Sequence, residues 1–127
     1  MPDEQQASTE VMDPLARHCR DSGHMRPGLG KAHYKAFMPA RDRKASVFYA
    51  GGQTVATLEQ IGRAVVAMSV RGHALVAKMT VEGRNLQIVA DPEPHPLHAN
   101  IVGWDEDDSK NRLHAHALAE ASQLIVY

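Results

Sequence analysis

Prolines at every second position, Pro92, Pro94 and Pro96, stiffen residues 91–97 and bar a helix there. The chain must pass this point as an extended loop. On the near side, Leu86-Gln87-Ile88-Val89-Ala90 reads as a strand ended by Asp91-Pro92. On the far side, Leu97 to Trp104 is apolar enough for a second strand. That strand carries a histidine, an asparagine and the only tryptophan, which is unusual for one that merely fills a core.

Other elements follow from periodicity. Ala45-Ser46-Val47-Phe48-Tyr49-Ala50 is a strand closed by Gly51-Gly52. Thr57 and Gln60 have capping-box spacing, and Leu58, Ile61, Val65 and Met68 form an apolar stripe, so a helix is predicted over Thr57–Arg71. Gly72 fits its stop, and Gly62 beside the stripe would let a strand pack closely. Residues 73–83 alternate like a strand but hold the Ala, Met and Lys of a short helix; both readings stay open. Asp105 to Ser109 supply the cap and first-turn acids of a last helix, with Leu113, Ala117, Ala121 and Leu124 on its apolar face. Leu124 to Tyr127 should be docked, as a core strand or a dimer contact.

The front of the chain is less regular. Residues 1–13 read as a mobile acidic tail. Residues 14–44 are broken by Pro14, Gly23, Pro27, Gly28, Gly30 and Pro39. A short helix over Leu15–Arg20 and a strand over His33–Met38 are the local readings within an irregular basic segment wrapping a core made elsewhere. The fold class expected is α+β: a small sheet of three to five strands with two main helices packed on it, in a single domain over 14–127.

The length of 127 residues suits one domain with one core. No apolar run approaches the roughly 18 residues of a membrane helix, so no membrane partner is expected. The start lacks the pattern of a secretory signal. Cys19 is the lone cysteine, so no internal disulfide can form, and a cytoplasmic location is expected. The net charge of −1 conceals +6 over residues 14–44 and −5 over residues 82–127. Such asymmetry marks either a nucleic-acid face or two halves that attract each other.

Several chemistries can be weighed. Strand alternation puts His98, Asn100, Val102 and Trp104 on one side, and Ala99, Ile101 and Gly103 on the core side. Imidazole, amide and indole together suit recognition of a partner, with His95 nearby. The bland alternative has His98 and Asn100 tying the proline loop to the sheet while Trp104 covers the last helix. Eight histidines invite a metal, yet no zinc-finger, His-Glu-x-x-His or Cys-x-x-Cys spacing occurs, so no metal or cofactor is expected. There is no Gly-x-Ser-x-Gly elbow. Asp91, Glu93, His95 and His98 could pair as acid and base only if the loop folds over a pocket. Gly28-x-Gly30-Lys31 lacks full phosphate-loop spacing. In the basic segment, Arg26, Lys31, Lys35, Arg41, Arg43 and Lys44 could contact phosphates, with Tyr34 available to stack.

The opening rich in Arg, His and Tyr, the Ser-Val-Phe-Tyr strand, the Leu-Glu-Gln-Ile-Gly helix and the segment His98-Ala99-Asn100-Ile101-Val102-Gly103-Trp104 resemble a family of small uncharacterised bacterial proteins found near mobile or prophage regions. The resemblance covers roughly residues 26–124, and its specific part is the His98–Trp104 segment. In similar sequences a proline follows the tryptophan, whereas here it is Asp105. The resemblance implies no reaction and points towards phage biology or host defence. The expected function is a small non-enzymatic interaction or inhibitor protein. Its binding residues would be the strand trio, His95 and the basic segment, and its partner macromolecular, most simply a protein. The alternatives are a nucleic-acid-binding protein using residues 14–44, and a histidine-dependent, metal-assisted hydrolase. Oligomeric state is not encoded in any recognisable pattern.

Overall fold

The computed structural model describes residues 12–127; the expected tail therefore lies largely outside the described residues. Strands β1 (Pro14–Cys19), β4 (Ala45–Tyr49), β5 (Gly72–Ala77), β6 (Gln87–Ala90), β7 (His98–Val102) and β8 (Gln123–Val126) form one antiparallel sheet in the order β6-β7-β4-β1-β5-β8. A separate two-stranded ribbon pairs β2 (Met25–Arg26) with β3 (Lys31–Ala32). The helices are short: α1 (Val55–Ile61), α2 (Lys78–Glu82) and α3 (Asp108–Glu120).

This corrects the expected sheet of three to five strands with two main helices. The largest source of the difference is β1. Leu15–Arg20, read as a short helix, falls instead on β1, one of the two central strands, which ends at Cys19 and pairs with β5 along its whole length. Pro14 opens it, where a missing N–H is tolerated. The sheet is covered on both faces, so Leu15, Ala16, His18 and Cys19 are all buried and no polar alternation marks the strand in sequence.

Further boundaries move for local reasons. The helix begins earlier than expected because Thr54, not Thr57, is the cap: its Oγ1 accepts the Thr57 N–H at 3.1 Å. The α-helix ends at Ile61, and one π-helical turn, Gly62–Val66, finishes the segment, leaving Met68 exposed. Gly72 is not a helix stop but the first residue of β5. Residues 73–83 combine the two open readings, β5 running directly into α2. Tyr34–Phe37 is a 3₁₀ turn rather than a strand, and it delivers Ala36 and Phe37 to the core. Asp107 caps α3 within the acidic run, as expected. Its buried face is Asn111, Ala115, Leu118 and Ala119, whereas Leu113 is 65% exposed and Leu124 belongs to β8.

The registers assign the two faces. Leu15, Val47, Val76, Ala99, Ile101 and Leu124 share one face, and with Phe37, Val81 and Leu118 they build the main core. Ala16, His18, Phe48, His73, Leu75 and His98 share the other. Leu58 of α1 covers part of it, with Ala16, Ala50 and Leu75. Across this second face runs a ring row: His73 lies 6.0 Å from His18, His18 5.3 Å from Phe48, and Phe48 5.3 Å from His98. Gly62 rests directly on the His18 ring.

No helix among the described residues is long and apolar enough to cross a membrane.

Candidate functional site

The sheet's centre holds an irregularity. β1 pairs with β5 at six positions but with β4 at only two, Leu15↔Tyr49 and Ala16↔Phe48. Beyond Ala16 the two strands part, and the side chain of Arg17 fills the gap. Its Nε donates to Ala36 O at 2.6 Å and its Nη1 to Ser46 O at 2.7 Å. Both acceptors are neutral carbonyls, and no carboxylate pairs with Arg17 among the described residues. Burial pushes its pKa down to about 10, with the charge of Arg20 acting the same way. It remains protonated at neutral pH.

A cleft of about 290 Å³ opens at this end of β1 and β4. Its walls are Arg17, His18 and Arg20 from β1 and its exit, His24, the approach to β4 through Asp42, Lys44 and Ser46, Asn100 from β7, and Val66 from the π turn. Arg20 and Lys44 are exposed and make no ion pair among the described residues. Asp42 stands at the rim, where its Oδ1 accepts the Lys44 backbone N–H at 3.1 Å. Burial lowers the pKa values of His18 and His24, so both are neutral at pH 7 and offer hydrogen-bonding nitrogens rather than charge.

The far wall is built on β7. Ser46 Oγ and His98 Nε2 are 2.5 Å apart, and His98 Nδ1 lies 2.8 Å from Asp91 O. A carbonyl only accepts, so Nδ1 carries the ring hydrogen, and Nε2 accepts from the serine hydroxyl. The Asp91 carboxylate lies 3.6 Å from Nδ1 and accepts from Asn100 Nδ2 at 3.2 Å. The proline loop is thereby tied back over β7 by its first residue.

The sequence-derived candidates divide accordingly. His98 and Asn100 do share a face, but at 6% and 8% exposure they form no open surface. Trp104 is not with them. Gly103 adopts φ +95°, which interrupts strand alternation and turns the indole to the main-core face. There its Nε1 donates to Ile101 O at 2.9 Å, and it meets His114 of α3 edge-on. His95 packs edge-on against Phe48, and its Nδ1 accepts the Leu97 N–H.

Within the basic segment, Arg26 pairs with Glu120, and Arg43 pairs with Asp108 while also reaching Glu106 O. Lys31 Nζ lies 3.5 Å from Ser122 O. Tyr34 stacks on His116 at 4.3 Å. Lys35 and Arg41 are exposed and are not part of the cleft wall, whereas Lys44 lines it. Arg17, Arg20, His18, His24 and Ser46 were missed as site residues. The available signal was the Arg17-His18-Cys19-Arg20 run, whose meaning depends on recognising a strand.

No group of three or more potential metal ligands comes together among the described residues. Cys19 lies two residues after Arg17 but is fully buried, and burial pushes its pKa up to about 12. An inert thiol is expected. A thiol-disulfide reagent should titrate about one thiol in denaturant and almost none in the folded protein over the same minutes. Fast labelling of the folded state would show that β1 opens.

Comparison with protein-family models, with curated proteins and with solved structures finds no match.

Proposed function

We propose that the protein binds a phosphate-bearing macromolecule, single-stranded nucleic acid, in the cleft where β1 and β4 part. The observation that carries this reading is Arg17, a guanidinium in the middle of the sheet held by two neutral carbonyls and, among the described residues, by no carboxylate. A partly buried guanidinium with no carboxylate partner among the described residues carries a desolvation cost that an anion entering the cleft would offset. Arg20 and Lys44 extend the positive lining outwards. Among the residues that line the cleft there is no Phe, Tyr or Trp, and the His18 ring is already packed against Phe48 and His73, so contact is with phosphate rather than stacked bases, and little sequence preference is expected.

Docking of a protein on the His98–Trp104 side is less favoured, because all three of its side chains are buried. We place the binding activity in the cytoplasm, where a lone thiol stays reduced, and in phage biology or host defence, on the strength of the family resemblance.

Three cations contacting phosphates set the size of the salt effect. The logarithm of the affinity for a single strand should fall with the logarithm of salt concentration with a slope of about −2. Fluorescence anisotropy of labelled oligothymidylate across a salt series measures it. Arg20→Ala combined with Lys44→Ala should reduce the slope to about −0.7. Binding that ignores ionic strength, or no binding at low salt, would overturn the proposal.

A further inference from the structure

We infer that Ser46 is a nucleophile for phosphate-ester hydrolysis, with His98 as its base and Asp91 as a positioning residue. The inference rests on the phosphate-binding reading of the cleft and names a reaction for it. Three separate segments supply the parts: Ser46 from β4, His98 from β7 and Asp91 from the proline loop. The serine hydroxyl donates to Nε2 at 2.5 Å, and Nδ1–H is held by Asp91 O at 2.8 Å. The order nucleophile, base, orienting group is what an activated serine requires, and the fixed tautomer leaves the proton-accepting nitrogen facing the hydroxyl. An imidazolium formed at His98 would have the Asp91 carboxylate 3.6 Å away.

A wholly structural role explains these contacts less fully. A hydroxyl that only satisfied His98 could point away from solvent, yet Ser46 is part of the wall of the basic cleft. Its own backbone carbonyl fixes Arg17, so the nucleophile and the cation that would face a phosphate are joined by one residue. Charge developing on the phosphate oxygens in the transition state would be met by Arg17 and Lys44.

The chemistry balances with water alone. Ser46 Oγ attacks phosphorus as His98 Nε2 takes its proton. The P–O bond to the leaving alcohol breaks, and that alcohol takes the proton from His98. Water then attacks the phosphoserine, losing a proton to His98; the P–Oγ bond breaks, and the proton returns to Ser46. One water is consumed, and one phosphate ester becomes an alcohol and a phosphate with one fewer ester bond.

Bis(p-nitrophenyl) phosphate, an anionic diester with a coloured leaving group, is the probe. The full chain should release p-nitrophenolate, and acid-quenched samples should carry a phosphoryl adduct on the peptide containing Ser46. Ser46→Ala and His98→Gln should each lower the rate at least about 100-fold. Asp91→Asn keeps the carbonyl that orients the ring but loses the carboxylate beside a transient imidazolium, so it should lower kcat with KM unchanged. Near-UV circular dichroism confirms that each variant is folded. Undiminished turnover by folded Ser46→Ala overturns the inference. So does absence of both turnover and adduct in wild-type protein that binds oligothymidylate with the expected salt slope, an outcome that leaves the binding reading standing. Absence of binding and turnover together removes both.

Discussion

Lowering the pH from 7 to 4 should cost the fold about 3 kcal/mol through His73 alone. His73 is fully buried between β1 and β8, with its Nδ1 2.5 Å from the Tyr127 hydroxyl. Burial pushes its pKa from 6.5 down to about 3, and the neighbouring His18 acts the same way. The folded state therefore holds His73 neutral across a range where the unfolded chain binds a proton. Stability is fully present above the unfolded pKa of 6.5 and is lost as the pH falls from there towards 3. His18, whose pKa is also lowered by burial, adds to the loss in the same direction. Asp107 and Asp108 are held low by the Ser109 cap and by Arg43 respectively, so they act only below the ordinary carboxylate value of 3.8. The interval from pH 6.5 to 4 thus reports mainly histidines. Urea unfolding at several pH values measures the effect, and His73→Phe should flatten the dependence by close to one proton. A stability that does not vary over this interval would mean that His73 is accessible to protons in the folded state.

Gly62→Ala should destabilise the protein by about 2 kcal/mol, against the usual sense of a glycine replacement in helical conformation. Alanine should gain about 1 kcal/mol from helix propensity. Its Cβ, however, would fall 2.5 Å from His18 Cδ2 and 2.7 Å from Nε2. The ring cannot swing aside. Its Nε2 donates to Leu58 O at 2.8 Å, and its faces and edges meet Phe48 and His73. Forcing a methyl into such packing typically costs 1–3 kcal/mol, and an overlap this short belongs at the upper end. Gly28→Ala is the control, since a Cβ there meets nothing within 4 Å. Thermal or denaturant midpoints of the two variants decide the point. Equal stability for both would mean that the π turn lifts off β1 at little cost.

These two residues also show where sequence reading reached and where it stopped. Gly62 was legible as a close-packing position because a lone glycine flanked an apolar helical stripe. Its neighbour was not, because His18 belongs to a strand whose two faces are both buried. Period-2 alternation is visible only when one face is wet, and β1 offers Leu, Ala, Arg, His and Cys to two protein environments. Strands β4, β6 and β7 were legible from β-branched and aromatic content bounded by glycine and proline. The caps were half legible: the acidic run contains the Asp107 cap, but the first helix was given Thr57 as its cap, and the structure places Thr54 there.

The candidate site followed the same division. His98 and Asn100 were identified by chemical type within a strand, and Asp91, Glu93, His95 and His98 together as acid–base candidates if the loop folds over a pocket; only Asp91 and His98 meet. Their link to Ser46 depends on the β4–β7 register, which sets Ser46 opposite Asn100 and Phe48 opposite His98. No local pattern encodes that register. Trp104 was misplaced because one residue, Gly103 at positive φ, breaks the alternation on which the face assignment rested. The charge of the basic segment was read correctly in sum, but Arg26 and Arg43 are paired with acids of α3, and Arg17, inside the sheet, pairs with no carboxylate among the described residues.

The central claim is that the gap between β1 and β4 is where an anionic chain is held. Amide chemical-shift mapping during titration with oligothymidylate tests it most directly. The expected result is a set of shifts confined to residues 17–24, 40–46, 66 and 100, fading as salt is raised. Shifts centred instead on the outer face of α3, with its exposed Lys110 and Arg112, or no shifts at low salt, would contradict it.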